Sequence, residues 1–101
     1  MKVTVIGLGP GGGADLTGRA WAALEECDLI VGYTAYIDLV KEDFPDKETL
    51  STGMRREVDR CRAAVEAALT GKSVAVVCSG DSGVYGMAGL IYEVAQEYDP
   101  I

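Results

Sequence analysis

The amino-acid sequence contains no histidine and few basic side chains. Its 101 residues include nine lysines and arginines against 16 aspartates and glutamates, which gives a formal net charge of −7. Histidine is the commonest general base and metal ligand in proteins, so its absence excludes Ser-His-Asp catalysis, Cys-His catalysis and zinc hydrolysis within this chain. We therefore expect no metal site. A duplex-binding protein needs a basic face that displaces counterions, so the acidic balance also argues against a nucleic-acid partner.

Long hydrophobic runs are missing as well. The apolar stretches are far shorter than the roughly 20 residues that span a bilayer, and the first glycine, Gly7, comes too early for a signal peptide. The cysteines Cys27, Cys61 and Cys78 are odd in number and form no CxxC pair. Each occupies an apolar position of a predicted element, which is typical of a small buried side chain. We expect a cytoplasmic protein without a membrane partner.

Apolar strands alternate with amphipathic helices along the sequence. Strands are predicted at residues 2–6, 28–31, 48–50 and 73–78; helices are predicted at 17–26 and 33–42, from 54 to a C-cap at 71, and after 83 as far as about 98. Because the strands are apolar throughout, we expect an α/β domain over 1–101, a three-layer parallel sheet with helices on both faces. Apolar side chains at helical spacing define the predicted buried face of the third helix: Val58, Cys61, Val65, Ala68 and Leu69.

Three glycine-bearing segments, 7–13, 32–33 and 79–83, follow predicted strands. In an open parallel sheet, ligands bind beyond the carboxyl ends of the strands, so we expect the backbone of these segments to approach a ligand. Ordinary turns that need positive φ are the alternative explanation.

The first glycine segment also matches the dinucleotide fingerprint G-x-G-x-x-G, at Gly7, Gly9 and Gly12. Two features count against a dinucleotide site. Pro10 removes a backbone donor from the loop. No acidic residue stands directly at the end of the second strand, because Asp28 lies at its other end and the nearest downstream acid, Asp38, falls in the next helix.

Together the segments resemble the tetrapyrrole (corrin/porphyrin) methyltransferases. VIGLGPG at residues 5–11 is similar to the opening motif of that family, and SGDSGVYG at 79–86 is similar to its second motif. VGYTAY at 31–36, TGMRRE at 52–57 and YGMAGL at 85–90 resemble the branch that methylates C-17 of precorrin-3B. The resemblance covers the whole chain but less than half of a usual member. We therefore expect a second α/β domain after residue 101 and an inactive 101-residue fragment.

The resemblance implies an S-adenosyl-L-methionine-dependent methyltransferase of cobalamin biosynthesis. Its substrate would be a corrin precursor, precorrin-3B or cobalt-factor III, methylated at C-17 with ring contraction by a homodimer. Position in the motifs assigns the cofactor contacts to Pro10, Ser79, Gly80, Asp81 and Val84. Candidate substrate contacts are Gly9, Gly11, Tyr33, Arg55 and Arg56. Residues 80–82 read Gly-Asp-Ser where the family often has Gly-Asp-Pro, which loosens the individual roles, and no catalytic residue is assigned.

Several alternatives stay open from the residues alone. The protein could methylate another ring position, or be a nucleotide-binding module without catalysis. Arginine forms bidentate pairs with carboxylates, so Arg55 and Arg56 are candidates for holding an acidic substrate. Their alternative role is surface pairing with Asp59. Gly86 and Gly89 each cost about 1 kcal/mol relative to alanine in a helix, which predicts close approach of a ligand or another backbone.

Overall fold

The computed structural model describes residues 2–8, 17–53 and 55–98, without the side chains of 80–85. The candidate contacts Gly9, Pro10 and Gly11 lie outside these residues. Strands and helices alternate through the described ranges: β1 (Lys2–Leu8), α1 (Gly18–Glu26), β2 (Leu29–Tyr33), α2 (Thr34–Lys41), β3 (Glu48–Thr52), α3 (Glu57–Leu69), β4 (Ser73–Ser79) and α4 (Gly80–Tyr98).

The strands form one parallel sheet in the order β1-β4-β2-β3. β4 is an inner strand, paired over its whole length with β1 and also with β2. Its residues from Val74 to Cys78 are buried, as expected for a strand that is covered on both faces.

Successive side chains of the sheet enter two hydrophobic cores, one on each face. In β4, Val74 and Val76 pack with residues of α3 and α4, whereas Ala75 and Val77 pack with residues of α1 and α2. This alternation follows from the two-residue period of a strand. The predicted three-layer α/β architecture is confirmed.

All three glycine-bearing segments differ from the prediction. β1 continues through Gly7 to Leu8, so the predicted loop at 7–13 does not begin at Gly7. β2 continues through Gly32 to Tyr33, because Gly32 stays in the ladder opposite Ser51 and Val77. The predicted loop at 79–83 does not form, because β4 is paired through Ser79 and α4 begins at the next residue. The described residues of all three segments therefore belong to regular elements.

The start and the buried face of α3 also differ from the prediction. The helix begins at Glu57 and not at 54, because Arg55 has φ of 59°, which no α-helical residue adopts. Val58 and Leu69 are 46% and 49% exposed, so their predicted burial is wrong. The helix is turned so that Ala64 contacts the sheet layer and Arg60 is buried on its flank.

All three cysteines are buried and unbridged, so their interpretation as small core side chains is confirmed. Thr17 caps α1, its Oγ1 accepting a hydrogen bond from the amide of Ala20 at 3.1 Å. Among the described helices, none combines the length and the apolar character needed to cross a membrane.

Candidate functional site

A crevice forms at the carboxyl end of β4 because of the strand order. The helices that follow β1 and β2 pack on one face of the sheet, and the helix that follows β4 packs on the other. β4 lies between β1 and β2, so the helix that follows β4 packs on the face opposite to the helices that follow both neighbouring strands. Such divergence points are where open α/β sheets bind their ligands.

A cleft of about 540 Å³ lies at this edge, within the range of roughly 300–1,000 Å³ typical of small-molecule sites. Met87 and Leu90 of α4 and Cys78 of β4 contribute its apolar wall. Its polar side chains come from the junction of β2 and α2, the start of α3 and the end of β4: Tyr33, Tyr36, Arg55, Glu57, Arg60 and Ser79. The structure thus brings together three predicted site residues, Tyr33, Arg55 and Ser79.

Two tyrosines form the aromatic wall of the cleft. Tyr33 ends β2 and Tyr36 lies in the first turn of α2, and their ring centroids are 5.5 Å apart in an edge-to-face arrangement. Between them, the Thr34 hydroxyl donates a 3.2 Å hydrogen bond to the carbonyl oxygen of Thr52. This bond joins the ends of β2 and β3. Paired rings of this kind offer a flat ligand an apolar surface with polar tips.

Arg60 lines the cleft, although the sequence interpretation did not assign it to the site. It is only 6% exposed. Its Nε donates a 2.8 Å hydrogen bond to Thr52 Oγ1, and its Nη2 donates a 3.4 Å bond to the Gly53 carbonyl oxygen. The sequence signal for Arg60 is its position beside Cys61 at the border of the apolar face of α3, where a charged residue is unusual.

The two arginines predicted to bind substrate separate in the structure. Arg55 lines the cleft. Arg56 precedes α3, is exposed, and pairs with Asp59 at 3.1 Å in a neighbouring shallow groove. The surface pairing considered as the alternative role is therefore observed for Arg56.

Arg55→Asn should separate folding from ligand binding at the rim of the cleft. A left-handed backbone costs an ordinary residue about 1–2 kcal/mol, and asparagine tolerates it better than arginine. We expect the unfolding free energy to stay equal or rise by up to about 1 kcal/mol, while affinity for an acidic ligand falls about tenfold with the loss of the guanidinium. Urea unfolding and ligand titration of the same variant measure both effects. Loss of stability without loss of affinity would contradict this role.

The proposed cofactor contacts lie around the junction of β4 and α4. Ser79 is exposed at the cleft, and Gly80, Asp81 and Val84 fall in the first turns of α4. The side chains of Asp81 and Val84 and all of Pro10 lie outside the described part. The first amides of a helix have no partner within it and favour anionic groups, so this junction suits the carboxylate end of an amino-acid cofactor.

Gly86 and Gly89 lie on the exposed side of α4. A Cβ built at either position would meet no described atom within 4 Å. No described segment approaches them closely, so the predicted approach by another backbone of this chain is not seen. Gly86 itself lines the cleft, where the missing side chain leaves room for a ligand.

Asp28 has a structural role at the amino ends of the strands, opposite to the cleft. Its carboxylate accepts a 2.8 Å hydrogen bond from the Ser73 amide, and its own amide donates to the Ser73 carbonyl oxygen at 2.7 Å. These bonds tie the amino ends of β2 and β4 together, far along both strands from Tyr33. Asp28 therefore cannot serve as the ribose-binding acid of a dinucleotide site.

The described lining of the cleft offers cations and aromatic rings rather than a reactive nucleophile. Burial raises the pKa of the Cys78 thiol, so this side chain stays protonated at neutral pH. Among the described lining residues, Glu57 is the one acidic side chain beside Arg55 and Arg60. Such a site can hold an anionic, flat ligand, and it suits reactions that depend on alignment of the partners.

These features define an α/β domain whose ligand cleft opens at the carboxyl edge of a parallel sheet. The sequence model of the Tetrapyrrole (Corrin/Porphyrin) Methylases matches residues 2–101, and the chain belongs to this family. The family resemblance carried by the glycine-bearing motifs is thereby confirmed.

Curated relatives with similar sequences carry methyltransferase names. The chain is 50% identical over 96 residues to the cobalt-factor III methyltransferase of Priestia megaterium, covering 95% of this chain and 18% of that protein. It is 47% identical over 95 residues to the probable cobalt-factor III C(17)-methyltransferase of Salmonella typhimurium, covering 94% of this chain and 39% of that protein. The chain thus spans less than half the length of these relatives.

A solved structure shares the fold. The crystal structure of the methyltransferase CobJ superposes with a TM-score of 0.80 at 42% sequence identity. The match covers 98% of this chain and 41% of the CobJ chain.

Proposed function

We propose that this chain is the N-terminal domain of an S-adenosyl-L-methionine-dependent C-methyltransferase of cobalamin biosynthesis. Its substrate is a corrin precursor, cobalt-factor III or precorrin-3B, methylated at C-17 with ring contraction. The observation that carries the proposal is the cleft at the end of β4, which combines paired tyrosines with two arginines in a chain of net charge −7. The names of the relatives support the same substrate class.

We further propose a second α/β domain after residue 101 that closes the cleft, and a homodimer that works in the cytoplasm. The fraction of each relative that the chain covers supports the second domain. The chain alone would present half of the ligand site, so we expect no turnover from it.

The reaction needs alignment more than activation by the protein. The cofactor, when bound, supplies a methyl group on a positively charged sulfur. The residues of this chain then have two tasks. Ser79 and the first turn of α4 position the cofactor, while Tyr33 and Arg55 hold the acidic macrocycle so that its nucleophilic carbon meets the methyl group. Positioning of two reactants can supply about 7–11 kcal/mol of rate enhancement, which fits a site without an ionised nucleophile.

A mass measurement of the product tests the proposal. The full-length protein, incubated with cobalt-factor III and methyl-labelled S-adenosyl-L-methionine, should yield a corrinoid heavier by one labelled methyl, with NMR placing the label at C-17. Parallel reactions with precorrin-3B decide between the two precursors. An unchanged substrate mass would overturn the proposal. A label on another carbon would contradict methylation at C-17.

The alternative hypothesis, a nucleotide-binding module without catalysis, is tested with the same preparation of the full-length protein. Calorimetry should show binding of S-adenosylhomocysteine and no binding of NAD. Because Asp28 is tied to Ser73, the described chain lacks an acid placed for the ribose of NAD. Tight NAD binding together with no response to S-adenosylhomocysteine would favour this alternative hypothesis.

A further inference from the structure

Arg60 carries a charge whose counter-ion is missing from the described residues. Its two hydrogen-bond acceptors, the Thr52 hydroxyl and the Gly53 carbonyl, are both neutral. In the part of the chain that the structure describes, Arg56, Arg62 and Lys72 each have a carboxylate within ion-pair distance, and Arg60 has none. Glu57 shares the cleft with Arg60 but is exposed and makes no ion pair with it.

A buried cation without a counter-ion is unfavourable, because the lost hydration is repaid only by good pairing. The guanidinium also has five N–H donors, of which the two neutral acceptors use two. The remaining donors and the charge are available at a cleft that is open to small molecules. Arginine's planar fork matches a carboxylate in geometry and in charge.

We propose that Arg60 is the anchor for a carboxylate of the ligand in this cleft. The identity of the ligand rests on the proposed function, under which two carboxylates qualify: an acidic side chain of the macrocycle, or the amino-acid carboxylate of the cofactor. Thr52 and Gly53 hold the guanidinium from the β3 side, so it is oriented before the ligand arrives. Arg55 adds a second, exposed cation at the rim, while Arg56 is occupied by Asp59.

The test compares Arg60→Gln and Arg60→Lys in the full-length protein by direct binding measurements. Arg62→Gln is the matched control, because Arg62 lies on the same helix but has a side chain that is 42% exposed and pairs with Glu97 at 2.7 Å. The probes are S-adenosylhomocysteine, cobalt-factor III, and a set of cobalt-factor III derivatives that each carry one carboxamide in place of a carboxylate. Circular dichroism and urea unfolding verify that each variant folds.

Arg60→Gln should lower the affinity for one of the probes by about 10- to 100-fold, the range for a hydrogen bond to a charged group. If a macrocycle carboxylate binds Arg60, Arg60→Gln lowers the affinity for cobalt-factor III. The one derivative that carries a carboxamide in place of this carboxylate then binds the parent and the variant equally. If the cofactor carboxylate binds there, only S-adenosylhomocysteine weakens. Arg60→Lys keeps the charge and should lose less affinity than Arg60→Gln, and Arg62→Gln should bind both probes like the parent.

A purely structural role for Arg60 predicts a different pattern. The stability of the variant would fall, while its affinities for S-adenosylhomocysteine and cobalt-factor III stayed within about twofold of the parent. Every carboxamide derivative would bind the variant more weakly than cobalt-factor III does, by the same factor as in the parent. These results would overturn the proposal that Arg60 anchors a carboxylate of the ligand. If Arg60→Gln does not fold, the comparison of Arg60→Lys with the parent across the carboxamide derivatives decides the question. Binding is measured independently of turnover, so a protein that binds these probes without methylating them refutes the proposed function and leaves the anchor standing.

Discussion

Replacing Gly32 with alanine is expected to lower the free energy of unfolding by roughly 3 kcal/mol, the upper end of overpacking effects. A Cβ at this position would lie 2.6 Å from Cγ2 of Val77 and 3.1 Å from the Val77 carbonyl oxygen. Val77 is fully buried in β4, and its branched side chain has little rotamer freedom. The backbones of β2 and β4 would therefore have to separate beside Tyr33, at the edge that forms the cleft.

Gly89→Ala is the matched control for this substitution. Gly89 is exposed in α4, and a Cβ there meets no described atom within 4 Å. Alanine should therefore stabilise the helix by up to about 1 kcal/mol. Urea unfolding followed through Trp21, which packs against Phe44 at a ring-centroid distance of 4.7 Å, compares the two variants. Equal stability of Gly32→Ala and the parent would contradict the close packing of β2 on β4.

Raising the pH from 9 to 11 is expected to remove roughly 2 kcal/mol of stability through Cys61 alone. Burial raises the pKa of this thiol from 9.0 to about 11, although neighbouring Arg60 acts in the opposite direction. The unfolded chain loses the thiol proton above about pH 9, while the folded chain keeps it until about pH 11. The stabilisation is therefore complete below the unfolded pKa and is lost as the pH rises through the folded one.

Cys61→Ala isolates this contribution, because it removes the titrating group. The variant should be less stable than the parent at neutral pH, since Cys61 Sγ packs at 3.3 Å from the sulfur of Met87. The difference in unfolding free energy between parent and variant should then shrink by roughly 2 kcal/mol between pH 9 and 11. Burial raises the pKa of Cys27 and Cys78 in the same direction. Parallel pH profiles for parent and variant would show that Cys61 does not titrate differently in the folded state.

The architecture was predictable because each strand is short, apolar and separated from the next by an amphipathic helix. A strand such as β4, buried from Val74 to Cys78, is a strong local signal. The order β1-β4-β2-β3 was not predictable from such patterns, since it depends on which helix packs on which face. The crevice at the end of β4 follows from that order, so its place could be expected only in general terms.

The roles of single residues depended on contacts between elements. Gly32 was expected to approach a ligand, but its structural requirement is the contact with Val77. Val58 and Leu69 fit a helical stripe as well as Ala64 does, and only the turn of α3 against the sheet decides which are buried. Arg60 was missed for the same reason, because a charged residue on the flank of a helix is usually exposed.

A crystal structure of the full-length protein with S-adenosylhomocysteine tests the central claim most directly, that the cleft at the end of β4 is half of the methyl-transfer site. The account predicts that the cofactor lies against Ser79 and the first turn of α4, with its sulfur facing the space between Tyr33, Arg55 and Arg60. A cofactor bound at the opposite edge of the sheet, near Asp28 and Ser73, or on the outer face of the helices, would contradict it.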